Sequence, residues 1–65
     1  MKTINGIDWE RTDNDTITAY QDGNELGVIV SGNPSEDWEL IEANHDPIAE
    51  GWEDGAGNTV SAEGW

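Results

Sequence analysis

The chain has 65 residues and no cysteine, which is enough for one domain and excludes disulfides and thiolate metal sites. Fifteen Asp and Glu against Lys2 and Arg11 give a formal net charge of −13. That balance argues against direct nucleic-acid binding, because affinity for a phosphate backbone comes from Lys and Arg displacing counterions, and against contact with an anionic membrane, which would repel the surface.

A chain this short buries only about 60% of the surface its unfolded form exposes, so its stability is marginal. Large rings must carry much of the packing, and those available are Trp9, Tyr20, Trp38, Trp52 and Trp65, with no phenylalanine. The excess charge opposes compaction through self-repulsion and exceeds the net charge of about 2–8 that keeps a small domain soluble. Acidic tails share this charge but lack aromatics. Four tryptophans and regularly spaced turn signals mark a folded chain.

In chain order, Asn5-Gly6 is a turn signal, after which Ile7 and Trp9 alternate with Asp8 and Glu10 as in a strand with one wet face. Asp13-Asn14-Asp15 marks the next turn, and Thr16-Ile17-Thr18-Ala19-Tyr20 is rich in strand-favouring residues. Asp22-Gly23 suits a hairpin turn, since both residues tolerate positive φ. Leu26 to Val30 is apolar on both alternating sets and reads as a central strand. Strands at about 7–11, 15–21 and 25–31 form a meander.

The second half supports two readings. Asn33-Pro34-Ser35-Glu36 is a helix start, with Asn33 as cap and Pro34 at the first position. One reading places a short helical turn near 34–37, then strands at about 38–43 and 47–53 joined through Asn44-His45-Asp46-Pro47. The other is a full helix at 34–43. Thr59-Val60-Ser61 reads as a short edge strand. The expected fold is therefore mainly β, with small α+β as the alternative: an antiparallel meander of about five short strands with at most one short helix, forming a single acidic domain over 1–65.

No catalytic constellation is visible. Carboxylates are abundant as a global property, not as a localised pair in a cleft, His45 lies in a turn, and no nucleophile motif or phosphate-cradling glycine loop occurs. One histidine cannot assemble a zinc site of the usual kind. An EF-hand register fails: from Asp13 the fifth and sixth positions are Ile17 and Thr18, and from Asp22 the fifth is Leu26. Asn14-Asp15-Thr16 fits a glycosylation sequon with no export signal beside it. Residues 1–10 carry one lysine and no apolar run, and the longest apolar stretch, Val28-Ile29-Val30, is far too short to span a bilayer. The chain is expected to be no enzyme, to need no cofactor or metal, and to be soluble.

The acids remain to be explained. On a strand, residues i and i+2 share a face roughly 6.5–7 Å apart, a spacing similar to that of neighbouring phosphates along one nucleic-acid strand. Asp8 with Glu10, Asp13 with Asp15, and Asp37 with Glu39 all have it. The expected partner-binding set is Asp13, Asp15, Glu36, Asp37, Glu39, Glu42, Asp46, Glu50, Glu53 and Asp54, offered to a groove lined with Lys and Arg. Association would be accelerated by charge and weakened by salt. One exposed tryptophan beside the acids, with Trp65 the candidate, would anchor the interface.

A very short, cysteine-free, strongly acidic chain with strand-and-turn patterning resembles the phage-encoded DNA mimics. The stretch Met1-Lys2-Thr3-Ile4-Asn5-Gly6-Ile7-Asp8-Trp9-Glu10, with Trp38-Glu39-Leu40-Ile41-Glu42 later, is similar to the small anti-CRISPR proteins that block a type I-C surveillance complex. Those inhibitors share no common motif, so no residue role is carried over. The resemblance implies a monomeric inhibitor in the cytoplasm of an infected bacterium, its acids covering basic residues with which the complex holds target DNA. The rival readings are a protein of a salt-loving organism, whose acidity reports the solvent, and a phage accessory protein whose charge is incidental.

Overall fold

A computed structural model of the chain describes residues 1–61. Four strands form one antiparallel sheet in sequential order: β1 (Lys2–Ile4), β2 (Ile7–Arg11), β3 (Thr16–Gln21) and β4 (Asn24–Val30), followed by one helix, α1 (Pro34–Glu42). The expected mainly β meander with a single short helix is the observed fold.

The turns follow from their residues. Asn5-Gly6 and Asp22-Gly23 both take positive φ at two successive positions (50° and 80°, 52° and 81°), the geometry whose twist matches that of the flanking strands. Asn5-Gly6 therefore folds Lys2–Ile4 back onto β2, a strand that the sequence reading did not place. Ile7 and Trp9 point to one face with Ile17, Ala19 and Ile29, whereas Asp8, Glu10, Thr18, Tyr20, Val28 and Val30 share the other. Thr18 is the buried polar side chain of that second face, and its hydroxyl meets that of Thr12 at 2.7 Å.

Leu26–Val30 is not central. β4 closes the sheet at one edge, and Val28 and Val30 are 37% and 46% exposed. The interior strands are β2 and β3, and in β3 Ile17, Thr18 and Ala19 are all buried. Double-sided apolarity marks burial only where both faces are covered. At β4 the inward set alone supplies a fully buried side chain, Ile29.

The second half departs from the favoured two-strand reading: residues 38–42 are helical and Ala43 is the C-terminal cap. Asn33 caps α1 by accepting from the Glu36 N–H (3.4 Å), its amide donates to the Glu36 carboxylate (2.9 Å), and Pro34 fills the first position. The helix ends at Asn44, which takes φ 71°. There the His45 N–H bonds the Leu40 carbonyl and the Asn44 N–H bonds the Ile41 carbonyl, both at 3.0 Å, which is the paired closure of a left-handed helix terminus. Residues 47–53 form no strand either: 47–51 are turns, opened by Asp46 and Pro47 just as α1 is opened by Asn33 and Pro34. The expected edge strand at 59–61 reduces to a single bridge, Glu53 with Thr59, and a bond from the Val60 N–H to the Trp52 carbonyl (2.6 Å). Trp65 lies outside the described residues.

α1 and the segment from 46 to 60 cover the face of Ile7 and Trp9, and the 54–56 loop of that segment reaches the β4 edge at Val30. The core is Ile7, Trp9, Ile17, Ala19, Ile29, Ile41 and Val60, flanked by Ile4, Leu26, Trp38, Ile48 and Trp52. Ile41 is the single fully buried residue of α1. Ile41→Ala should cost about 2–5 kcal/mol, a large share of the stability of so small a domain, read as a lowered urea midpoint. At the far end of the covering segment, a Cβ on Gly55 would stand 2.7 Å from the Val30 Cβ and 3.1 Å from its carbonyl oxygen. Neither atom can swing away, so Gly55→Ala should destabilise by about 1–3 kcal/mol and displace the 54–56 loop, visible as amide shift changes at Val30.

Candidate functional site: a carboxylate surface

With two cationic side chains, the carboxylates must find other partners. Among the described residues no Lys or Arg forms an ion pair with a carboxylate; the one pair present is His45 Nδ1 with Glu50, at 3.1 Å. Backbone amides and hydroxyls take the place of cations.

The expected site residues separate accordingly. Asp46 accepts from the Ile48 and Ala49 N–H groups (2.9 and 3.3 Å) and from the Asn5 side chain (2.7 Å), tying the β1–β2 turn to the 46–51 turn. Glu50 accepts from His45, from the Asp46 N–H (2.9 Å) and from the Trp52 indole (3.4 Å). Asp54 accepts from the Ala56 and Asn58 N–H groups (2.8 and 2.9 Å) and shapes the loop between Glu53 and Thr59. Asp37 accepts from the Ser31 hydroxyl, Glu36 from Asn33, Asp13 from the Asn14 N–H (2.8 Å) and Asp15 from the Thr16 hydroxyl (2.9 Å). Glu39, Glu42 and Glu53 are exposed, and their carboxylates make no hydrogen bond or ion pair among the described residues. Glu10, Asp22 and Glu25, outside the expected set, are in the same condition. Their mark in the sequence is the absence of any nearby donor at capping distance, a signal that requires knowing the turns first.

The strand-spacing argument holds at one pair of three. Asp8 and Glu10 do share a face of β2, with Asp8 accepting from Thr3 at 2.6 Å. Asp13 and Asp15 lie in a bend instead of a strand. Asp37 and Glu39 lie on a helix, where residues two apart do not face each other.

The helix substitutes a different array. Glu36, Glu39 and Glu42 are three residues apart, so each carboxylate stands about 4.5 Å further along the axis and is offset by about 60°. Glu39 and Glu36 lie about 160° and about 140° round the helix from Ile41, and Glu42 about 100°, on its flank. At either end other acids join them. Ser31 is bonded through its N–H to the Asp15 carbonyl (2.8 Å) and through its hydroxyl to Asp37, which gathers the 13–15 bend at the start of α1. Asp46 and Glu50 follow directly on its end. Eight of the ten expected residues thus lie on α1 or in the segments at its two ends: Asp13, Asp15, Glu36 and Asp37 at its start, Glu39 and Glu42 along it, and Asp46 and Glu50 after its end. Asp54 lies beside β4 with Gly55, and Glu53 precedes it at the bridge to Thr59.

Folding does not favour the middle of this set, the carboxylate ridge of α1. Glu36 and Asp37 complement the positive N-terminal end of α1, but Glu42 sits in its last turn, which holds no basic residue. Like charges three or four apart on a helix each cost about 0.2–0.5 kcal/mol.

No group of three or more His, Asp or Glu among the described residues is placed to hold a metal ion, and no helix among them is long and apolar enough to cross a membrane. Compared with known protein families, curated proteins and solved structures, the chain matches none.

Hydrogen bonds from His45 foremost, then from the Asp46 amide and the Trp52 indole, hold the Glu50 carboxyl below its ordinary pKa. The Asn58 and Ala56 amides do the same for Asp54. A carboxyl with a depressed folded-state pKa adds stability that is present above its unfolded pKa and lost as pH falls through the folded one. The 45–58 segment should therefore loosen on the acid side of the usual carboxylate range while holding at neutral pH. In an NMR titration the Glu50 and Asp54 carboxyl carbons should move at lower pH than in a free peptide of residues 45–58; identical midpoints would show these bonds to be absent in solution.

Proposed function

We propose that the chain is an inhibitor that presents a DNA-like negative surface to a basic nucleic-acid-binding partner and excludes nucleic acid from it. The observation that carries this reading is the unpartnered carboxylate row of α1, where Glu39 and Glu42 stand exposed without a donor and against the helix dipole. Nothing in the packing accounts for acids at those positions.

Size and charge density support it. Along α1 there is one carboxylate per about 4.5 Å of axis, against one phosphate per about 3.4 Å along a DNA strand. The longest dimension of the protein is 26 Å and its net charge −13; a duplex of that length carries about 15 charges. A cationic groove that accepts a short length of duplex meets a comparable quantity of charge here, already fixed on a folded body. The resemblance to small anti-CRISPR proteins makes a CRISPR surveillance complex of type I-C in the bacterial cytoplasm the first partner to test, with the protein acting as a monomer and without catalysis.

The test is competition. Binding of labelled target duplex to the purified type I-C complex should fall as the protein is added, and the effect should weaken with salt. Glu39→Lys with Glu42→Lys reverses two charges and takes the net charge from −13 to −9. It should reduce competition by at least about tenfold while leaving the melting temperature unchanged or raised, because it removes like-charge neighbours and places a cation in the last turn. Full competition by this variant would refute the assignment of the ridge. Folding only in concentrated salt would favour adaptation to a saline interior instead.

A further inference from the structure

β4 is the longest strand of the sheet and has a neighbour on one side only. The direction of its backbone groups follows from one bond. The Ser31 N–H donates to the Asp15 carbonyl (2.8 Å), so Asp15 and Ser31 are a hydrogen-bonded pair. Directly opposed residues in an antiparallel ladder alternate between bonded and non-bonded pairs. At Thr16 with Val30, and at Thr18 with Val28, the valine N–H and C=O therefore point away from β3. Neither valine has a backbone partner on that side among the described residues.

Beside this edge lies an open groove of about 240 Å³, lined by Val28, Val30, Asp54, Gly55 and Ala56. It is smaller than the roughly 300–1,000 Å³ of a small-molecule pocket and takes an aliphatic side chain. Gly55 is what allows the far wall to approach, since any Cβ there would collide with Val30. Natural sheets blunt an edge with charge, proline or a covering element. At Val30 the 54–56 loop is such a cover, with Gly55 against the outward carbonyl; Gly27 and Val28 carry neither charge nor proline, and Val28 is exposed.

We propose that this edge is a docking site for an extended segment of a cationic protein. The segment would pair with β4 as far as Val28, short of the 54–56 loop, and seat an apolar side chain in the groove over Val28. Main-chain hydrogen bonds supply affinity and the groove selects the alternate side chains, as in other strand additions. Charge decides the occupant. Asp54 lines the groove, Ser31 holds Asp15 and Asp37 at the end of β4, and Glu25 lies at its other end. Lys and Arg flanking the apolar residue would meet these carboxylates. A second copy of the chain would instead bring another −13 to the same edge. The inference rests on the proposed function only for the cationic character of the partner.

The probe is a short peptide alternating valine and lysine, compared with one in which serine replaces each valine at equal charge. The valine peptide should bind at least about tenfold more tightly, shift the Val28, Val30 and Gly55 amides, and slow hydrogen exchange at Val28. Val28→Pro removes an outward N–H without touching the β3 ladder, a place where an edge strand accepts proline, and should abolish the difference between the peptides. Val30→Lys, at an exposed position, is the second variant and should do the same. Equal affinity for the two peptides, shifts confined to α1, or protection of Val28 that grows with protein concentration alone would each overturn the proposal. The Glu39→Lys, Glu42→Lys chain should dock the valine peptide normally, so failure of the ridge and failure of the edge are read separately.

Discussion

The shortage of cations governs how this chain folds. A carboxylate that takes part in structure here has no lysine or arginine to meet and must find N–H or O–H donors instead. The donors within reach are those left unpaired where the backbone changes direction, at helix starts and turns. Asp46 and Asp54 each collect two such donors and Glu50 one, joined by the His45 and Trp52 side chains, and the whole segment from 45 to 58 is built around them. Charge-assisted bonds to backbone amides are short and stronger than neutral ones. They let a chain that repels itself hold a long irregular segment against a small core. Acid in this half of the molecule is architecture first.

The acids left over are therefore informative. Glu39 stands nearly opposite Ile41 on α1 and Glu42, one turn on, at its flank, so the residue that fastens the helix and the residues that would meet a partner lie on different sides of one element. Presentation of the ridge depends on the core beneath it: α1 is held by one fully buried side chain, a cap at Asn33 and a left-handed closure at Asn44. A helix of nine residues is too short to persist alone in water. A rigid charge array is thus a property of the folded domain, which separates this chain from an acidic tail of equal charge.

The first half of the fold was legible because alternation and turn chemistry agree there. Ile7 and Trp9 inward, Asp8 and Glu10 outward, and Asp22-Gly23 at a tight hairpin all stand as the residues indicate. Legibility failed where one residue type serves two geometries. Asn44 reads as part of a strand connection, yet the left-handed conformation that suits such a turn also ends a helix. Asp46-Pro47 with Glu50 following repeats the grammar of Asn33-Pro34 with Glu36, and its alternating neighbours Ile48 and Glu50 obscured it. The candidate site inherited this error: acids two apart were matched to strand spacing, whereas the array that forms is three apart on a helix. Leu26–Val30 failed differently, since apolarity on both faces is equally the signature of a buried strand and of an edge left free.

Ser31 ties the two surfaces together. Its N–H extends the β3–β4 ladder by one bond, its hydroxyl binds Asp37 in the first turn of α1, and its oxygen also accepts the Asn33 N–H (3.0 Å). The carboxylate ridge and the free edge of β4 therefore meet at one residue, where Asp15, Asp37 and the neighbouring Asp54 loop converge. A cationic segment laid along β4 would emerge beside the start of the ridge, and a groove occupied by the ridge would bring its rim to the edge. Fixed negative charge draws a partner from a distance but reads little of its sequence, whereas an edge and a side-chain groove read shape at contact. Placed together on so small a body, the two would give an acidic domain a means of choosing one cationic protein among the many that its charge alone would attract.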